Sequence, residues 1–188
     1  MEIYLIRHTT PDIEKGICYG QSDLDLKPNY AEEFETVLKK IQTKKNFIVI
    51  SSPLKRCSLL AKYIADGVIF DDRLKELNFG NWELMPWNAI PEKDINPWMT
   101  DFVNVAIPNG ESYVELASRV HAFFEEIIHL KSNQDLIIVS HAGPIRAILA
   151  KLLKLPLKDS FSIKINYGAI FELKRENESL KLITNINF

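Results

Sequence analysis

Three short apolar runs, at residues 3–6, 47–50 and 136–139, constrain the fold of this chain more than any other feature. Each is rich in Ile, Val or Leu, and none alternates with polar residues. That pattern suits strands at the centre of a sheet covered on both faces, since a strand with one wet face would alternate. Stretches of helical spacing separate the runs. Residues 31–41 put Phe34, Val37, Leu38 and Ile41 on one face, and residues 58–65 do the same with Leu60, Ala61 and Ile64. Ser112 followed by Glu115 is a capping box, and it opens a helix whose stripe of Val120, Phe123, Phe124, Ile127 and Ile128 runs to about Leu130. A fourth helix spans 144–155, with Pro144 at its first position.

Strands alternating with helices predict an α/β fold, a three-layer α/β/α sandwich with a mostly parallel central sheet. Residues 162–166, 169–174 and 181–185 read as further strands, with a turn at Asn177-Glu178, so the C-terminal edge is expected to be antiparallel. The 188 residues fit a single domain, 1–188. One stretch breaks the rhythm: residues 80–108 carry Pro86, Pro91, Pro97 and Pro108 with Trp82, Trp87 and Trp98. It reads either as an irregular flap over one end of the sheet or as a surface loop stapled by its aromatics.

Composition excludes several functions. The formal net charge of -2 speaks against a nucleic-acid or anionic-membrane partner, although a local cationic pocket can hide within it. No apolar run approaches the roughly 18 residues of a membrane span, and the N-terminus lacks a signal-peptide pattern. Cys18 and Cys57 make neither a disulfide framework nor a zinc site, so a cytoplasmic protein with reduced thiols is expected. The partner expected is a small phosphorylated molecule, for the reasons that follow; the oligomeric state stays open, a homo-oligomer included.

The chemistry lies where the apolar runs end. The first leads into Arg7-His8-Thr9-Thr10-Pro11, the second into Ser51-Ser52-Pro53-Leu54-Lys55-Arg56, the third into Ser140-His141-Ala142-Gly143-Pro144. Open α/β sheets bind ligands at the carboxyl ends of their strands. If these runs are parallel neighbours, two histidines and two arginines gather at one rim, joined by the positive ends of the following helices. That is an anion site. Singly, Arg7 reads as an ion-pair residue and Arg56 as a surface charge on a helix. His121 and His129, on or at the end of a helix, read as structural.

Leu5-Ile6-Arg7-His8 resembles the Arg-His signature of the histidine phosphatase (phosphoglycerate mutase-like) superfamily. Residues 51–56, 73–83, 109–112 and 140–143 are similar to its later motifs, in order. The resemblance implies that His8 is the nucleophile and becomes phosphohistidine, and that Arg7, Arg56 and His141 hold the phosphoryl oxygens. It implies that Glu76 is the general acid and base, with Glu83 the runner-up. The alternative for Glu83 is a partner for one of the arginines. No metal and no cofactor are implied. Chemistry asks for the same residue types: a nucleophilic His8 must be neutral, with its other ring nitrogen donating to a carbonyl. Nearby cations favour that state, and a phosphate dianion favours the protonated form of a neighbouring carboxyl.

Three positions depart from the family pattern. Thr9 stands where Gly is usual and offers a hydroxyl to phosphate; Leu60 replaces a small or hydroxyl residue; Leu84 replaces a common Gly. They bear on substrate rather than catalysis. Residues 6–11, with Gly16-Ile17-Cys18-Tyr19-Gly20-Gln21-Ser22-Asp23, resemble the α-ribazole phosphatase branch, as does His141-Ala142-Gly143. That likeness implies hydrolysis of α-ribazole 5′-phosphate in cobalamin biosynthesis, with substrate contacts at Thr9, Gly20, Gln21 and Ala142. A turn packed on Tyr19 is the bland reading of that loop. Trp82, Trp87, Trp98 and Tyr19 are expected to line an aromatic pocket. A broad sugar-phosphate or protein phosphatase is the alternative. A mutase is less favoured, because the chain stops at Phe188 just after a strand and no shielding tail is expected. A non-catalytic phospho-binding module would not need both a nucleophile and an acid.

Overall fold

The computed structural model describes residues 1–41, 47–129, 134–176 and 179–186. Among the described residues six strands form one sheet: β1 (Glu2–Arg7), β2 (Phe47–Ser51), β3 (Val68–Phe70), β4 (Asp135–Ser140), β5 (Ile170–Glu176) and β6 (Ser179–Leu182). Their order is β3-β2-β4-β1-β5-β6. The first four are parallel, β5 runs antiparallel to β1, and β6 antiparallel to β5. The three apolar runs are therefore the adjacent strands β2, β4 and β1, as their lack of alternation required.

Helices cover both faces. Tyr4 and Ile6 of β1 pack with Phe34, Val37 and Ile41 of α1 (Tyr30–Ile41) and with Cys57, Leu60 and Ala61 of α2 (Lys55–Ile64). Ile3 and Leu5 point the other way. They meet Leu116, Val120, Phe123 and Phe124 of α4 (Tyr113–Ile128), and Ile145 and Ile148 of α5 (Ala142–Leu153). The period-two geometry of a strand sends successive side chains to opposite faces. With each face buried, a Leu5→Ala change would cost about 2–5 kcal/mol. The Ser112–Glu115 capping box is formed and starts α4.

Register fixes the site. Arg7 pairs with Ser140 and Ser51 with Val139, so the three strands end within about one residue of each other. Both helices that follow begin earlier than their spacing predicts, at Lys55 and Ala142 instead of 58 and 144. Arg56 and Gly143 consequently sit in the first turns.

The C-terminal third differs from expectation. Residues 162–166 are not a strand; a 3-10 helix at Leu157–Ser162 leads into irregular chain. Ile163 and Ile165 are both buried, which explains the strand-like alternation. Their carbonyls accept from Arg146 and Arg7 instead of a neighbouring strand. The last strand ends at Leu182 and begins before 181, while the turn at 177–178 and the helix end at Leu130 fall outside the described residues. β3 escaped sequence reading because it is three residues long with Ile69 and Phe70 exposed.

Residues 80–108 hold two 3-10 turns and α3 (Glu92–Thr100). The segment adds Trp82, Ile90 and Ile107 to the core, and Trp98 stacks on Trp87 with ring centroids 5.9 Å apart. Among the described residues no helix is long and apolar enough to cross a membrane.

Candidate active site

His8 follows β1 directly and is held on both sides of its backbone. Its N–H donates to the Ser140 carbonyl at 3.0 Å, and its carbonyl accepts from Gly168 at 3.2 Å. Nδ1 lies 2.7 Å from the Thr9 carbonyl, which can only accept. Nδ1 therefore carries the proton, and the Nε2 lone pair is the free nucleophile. The ring is 1% exposed. Burial, then Arg56, then Arg7 push its pKa well below the ordinary imidazole value, against a smaller opposing effect of the Thr9 bond. His8 is neutral at pH 7.

Each arginine is fastened to backbone carbonyls. Arg7 donates to Ile165 at 2.6 Å, with its guanidinium 3.9 Å from the Tyr167 ring centroid. Arg56, fully buried, donates to Ser22 at 2.9 Å and to Gly20. Arg7 Nε and Arg56 Nε are buried without an acceptor among the described residues. An anion would supply one, which suits phosphate.

The loop carrying Gly20 and Ser22 is organised by Glu83. Its carboxylate accepts from the amides of Gly20 at 3.0 Å, Gln21 at 2.7 Å and Ser22 at 3.1 Å, and from Phe79 N–H at 3.1 Å. Burial raises the Glu83 pKa, but the Ser22 hydroxyl and the amides of Gly20, Gln21 and Ser22 outweigh it and leave the group below the ordinary carboxylate value. Glu83 does not pair with an arginine directly, as sequence reading had offered; it holds the loop that holds Arg56. The loop fits only a glycine at its closest approach, since a Cβ on Gly20 would sit 1.8 Å from the Leu77 carbonyl oxygen.

His141 caps β4 and is fully buried, its ring centroid 5.0 Å from that of His8. Nε2 is 2.8 Å from the Ser52 hydroxyl. Burial, Arg56, His8, Arg7 and Arg119 together hold its pKa well below the ordinary value. The Cys57 thiol, which burial keeps protonated, donates to the Ser140 carbonyl at 3.5 Å beside this ring.

Glu76 reaches the same place from the other side. Its carboxylate accepts from Leu77 N–H at 3.0 Å and from Gly143 N–H at 3.1 Å, in the first turn of α5. Arg119 fixes the segment behind it, donating to the carbonyls of Arg73, Lys75 and Glu76 while pairing with Glu111 at 2.6 Å. A Cβ at position 143 would lie 2.2 Å from Glu76 Oε1, so Gly143 is required for this contact.

A cavity of about 190 Å³ opens onto these groups, lined by Arg7, His8, Glu76 and Gly143 together with Tyr19, Leu77, Phe79, Tyr113, Arg146 and Phe161. Arg56, His141 and Thr9 are buried and do not line it, and Thr9 Oγ1 has no partner among the described residues. Gly20, Gln21 and Ala142 also lie outside the lining. Gly20 serves Arg56 through its carbonyl, and the Gln21 side chain donates to the Glu76 carbonyl at 3.0 Å. Of the expected aromatics only Tyr19 lines the cavity. Trp82, Trp87 and Trp98 pack on each other and on Phe79 instead, so that expectation is corrected. Sequence reading missed Arg146, whose signal was its place three residues after Gly143 on one helix face. Among the described residues no cluster of three or more His, Cys, Asp or Glu side chains could hold a metal ion.

Comparison with known proteins agrees with this geometry. Phosphoserine phosphatase 1 of Hydrogenobacter thermophilus is 30% identical over 193 residues, covering 97% of this chain and 92% of its own length. The Yersinia pestis protein named "Probable phosphoglycerate mutase GpmB" is 33% identical over 167 residues, covering 83% of this chain and 76% of its own. The structure of α-ribazole phosphatase from Shigella flexneri shares the fold, with a TM-score of 0.89 at 23% identity over 100% of this chain and 96% of that one. The profile of the histidine phosphatase superfamily (branch 1) matches residues 3–187, and the chain belongs to that family.

Proposed function

We propose that this phosphatase hydrolyses a small phosphomonoester through a phosphohistidine on His8. The observation that carries the reading is the 2.7 Å bond from Nδ1 to the Thr9 carbonyl, which leaves Nε2 unprotonated on a residue that lines the cavity. Nε2 attacks phosphorus as the ester P–O bond breaks, and the leaving oxygen takes a proton from Glu76. Water then attacks the phosphohistidine, gives its proton back to Glu76, and frees His8 and inorganic phosphate. Arg7, which lines the cavity, stabilises charge on the non-bridging oxygens throughout, and Arg56 and His141, buried just behind His8, come into reach of those oxygens only where the phosphoryl group sits deeper than the open cavity.

The cavity favours a compact leaving group, because about 190 Å³ is below the roughly 300–1,000 Å³ of sites for drug-sized ligands. A second reading, α-ribazole 5′-phosphate, is supported by the rings of Tyr19, Phe79, Tyr113 and Phe161 around the cavity, which suit a benzimidazole. The test is kcat/KM across α-ribazole 5′-phosphate, O-phosphoserine, 3-phosphoglycerate, nucleoside monophosphates and a phosphopeptide, with His8→Ala as control. The reading expects phosphate release lost in His8→Ala and a short phosphomonoester preferred. Phosphoryl transfer between positions of phosphoglycerate without release would make the chain a mutase instead.

A further inference from the structure

The phosphate-binding groups leave one cation of the cavity unexplained. Arg146 lies on α5 and lines the same cavity as His8, Glu76 and Arg7. It is partly buried, and burial, with a smaller push from Arg7, lowers its pKa against the opposing pull of Glu76 and Tyr113. Its Nε donates to the Ile163 carbonyl at 3.3 Å, and its guanidinium carbon stands 4.9 Å from the Phe161 ring centroid. Among the described residues no carboxylate comes within ion-pair distance of it. Glu76, the carboxylate whose charge acts on Arg146, is engaged by the amides of Leu77 and Gly143. A partly desolvated guanidinium with no carboxylate at ion-pair distance is a ready partner for an incoming anion.

We propose that Arg146 is a specificity-determining residue that binds a carboxylate carried by the leaving group, so that the preferred substrates are short carboxylated phosphomonoesters. The assignment rests on the phosphatase reading of the site. Helix geometry supplies the spacing. Gly143 and Arg146 share a face of α5, with a rise between them of roughly 4.5 Å. Glu76, which protonates the leaving oxygen, is bonded at Gly143. A carboxylate two or three atoms beyond that oxygen therefore falls toward Arg146. The small cavity volume admits such a group and leaves little room for a longer one. Arginine suits the task because its planar fork matches both carboxylate oxygens, and Phe161 with the Ile163 carbonyl limits its freedom.

The experiment compares matched substrates that differ by the carboxylate: O-phosphoserine against O-phosphoethanolamine, and 3-phosphoglycerate against glycerol 3-phosphate. The readout is the kcat/KM ratio within each pair, for the wild-type chain and for Arg146→Gln. The wild type is expected to prefer the carboxylated member in at least one pair by on the order of ten- to a hundredfold, and Arg146→Gln to bring that ratio to about one. A wild-type ratio near one in both pairs, or an Arg146→Gln variant that lowers both members equally, would overturn the assignment. Absence of turnover with every phosphomonoester, p-nitrophenyl phosphate included, would instead refute the phosphatase reading. Calorimetric binding of the same pairs to the His8→Ala protein, with and without Arg146→Gln, then judges Arg146 by the same ratios.

Discussion

Lowering the pH from 6.5 toward 5 should destabilise this protein through two histidines that the fold keeps uncharged. His8 is 1% exposed and His141 is fully buried, and both lie beside Arg7 and Arg56. Burial and these cations hold both folded pKa values well below the unfolded value of about 6.5. Below pH 6.5 the unfolded chain therefore takes up two protons that the folded chain refuses. Stability is lost as pH falls through that window, at a limiting rate of about 1.4 kcal/mol per pH unit for each histidine. Between pH 6 and 5 the pair can remove at most about 2–3 kcal/mol, the limit reached when both rings stay neutral in the fold throughout, against the 5–15 kcal/mol typical of a domain. Carboxylates held low in the fold, such as Glu83, lose their contribution at more acid pH, as their own protonation begins, which leaves this window to the histidines. Urea unfolding at a series of pH values for the wild type, His8→Gln and His141→Gln isolates the effect. Each variant should lie closer to the wild type at pH 5 than at pH 6 by about 1 kcal/mol, because it no longer carries the proton penalty. Parallel profiles would mean that the histidines charge in the folded protein, and the argument for a neutral His8 would fail with them.

Glu83→Gln should weaken the loop at 20–22, costing about 1–3 kcal/mol in urea unfolding and raising KM for phosphomonoesters, since Arg56 is fastened to that loop. Gly143→Ala should displace Glu76, whose Oε1 would sit 2.2 Å from the new Cβ. The expected loss in kcat on alkyl phosphates is about a hundred- to ten-thousandfold, with less loss on aryl phosphates that need little protonation. Leu84→Gly should stabilise the protein by about 0.5–1 kcal/mol in thermal or urea unfolding. Leu84 is 55% exposed and adopts φ +64°, a left-handed conformation that costs a side chain roughly 1–2 kcal/mol, partly offset by the greater freedom of unfolded glycine.

The strand ends were legible because three unalternating runs and the polar residues behind them are local signals. Parallel register then brought Arg7, His8, Ser52 and His141 together without further information. Glu76 was found only through the family likeness, because its place depends on Arg119 and on the Gly143 amide, which no local pattern reveals. The same distinction explains the misses. Ile163 and Ile165 alternate like a strand, yet their carbonyls serve arginines, and a hydrophobic period does not report where a carbonyl points. The tryptophans looked like a ligand pocket, but aromatic rings satisfy one another as readily as they satisfy a ligand, and here they do. Leu84, a departure noted in the sequence, acquires its meaning only from the sign of its φ angle.

Rapid quench with labelled substrate, followed by peptide mapping, asks whether phosphoryl transfer passes through His8. A phosphoenzyme stable in base and labile in acid is expected, with the label on the peptide containing His8 and absent in His8→Ala. A label stable in acid on a serine, or undiminished label in His8→Ala, would contradict it.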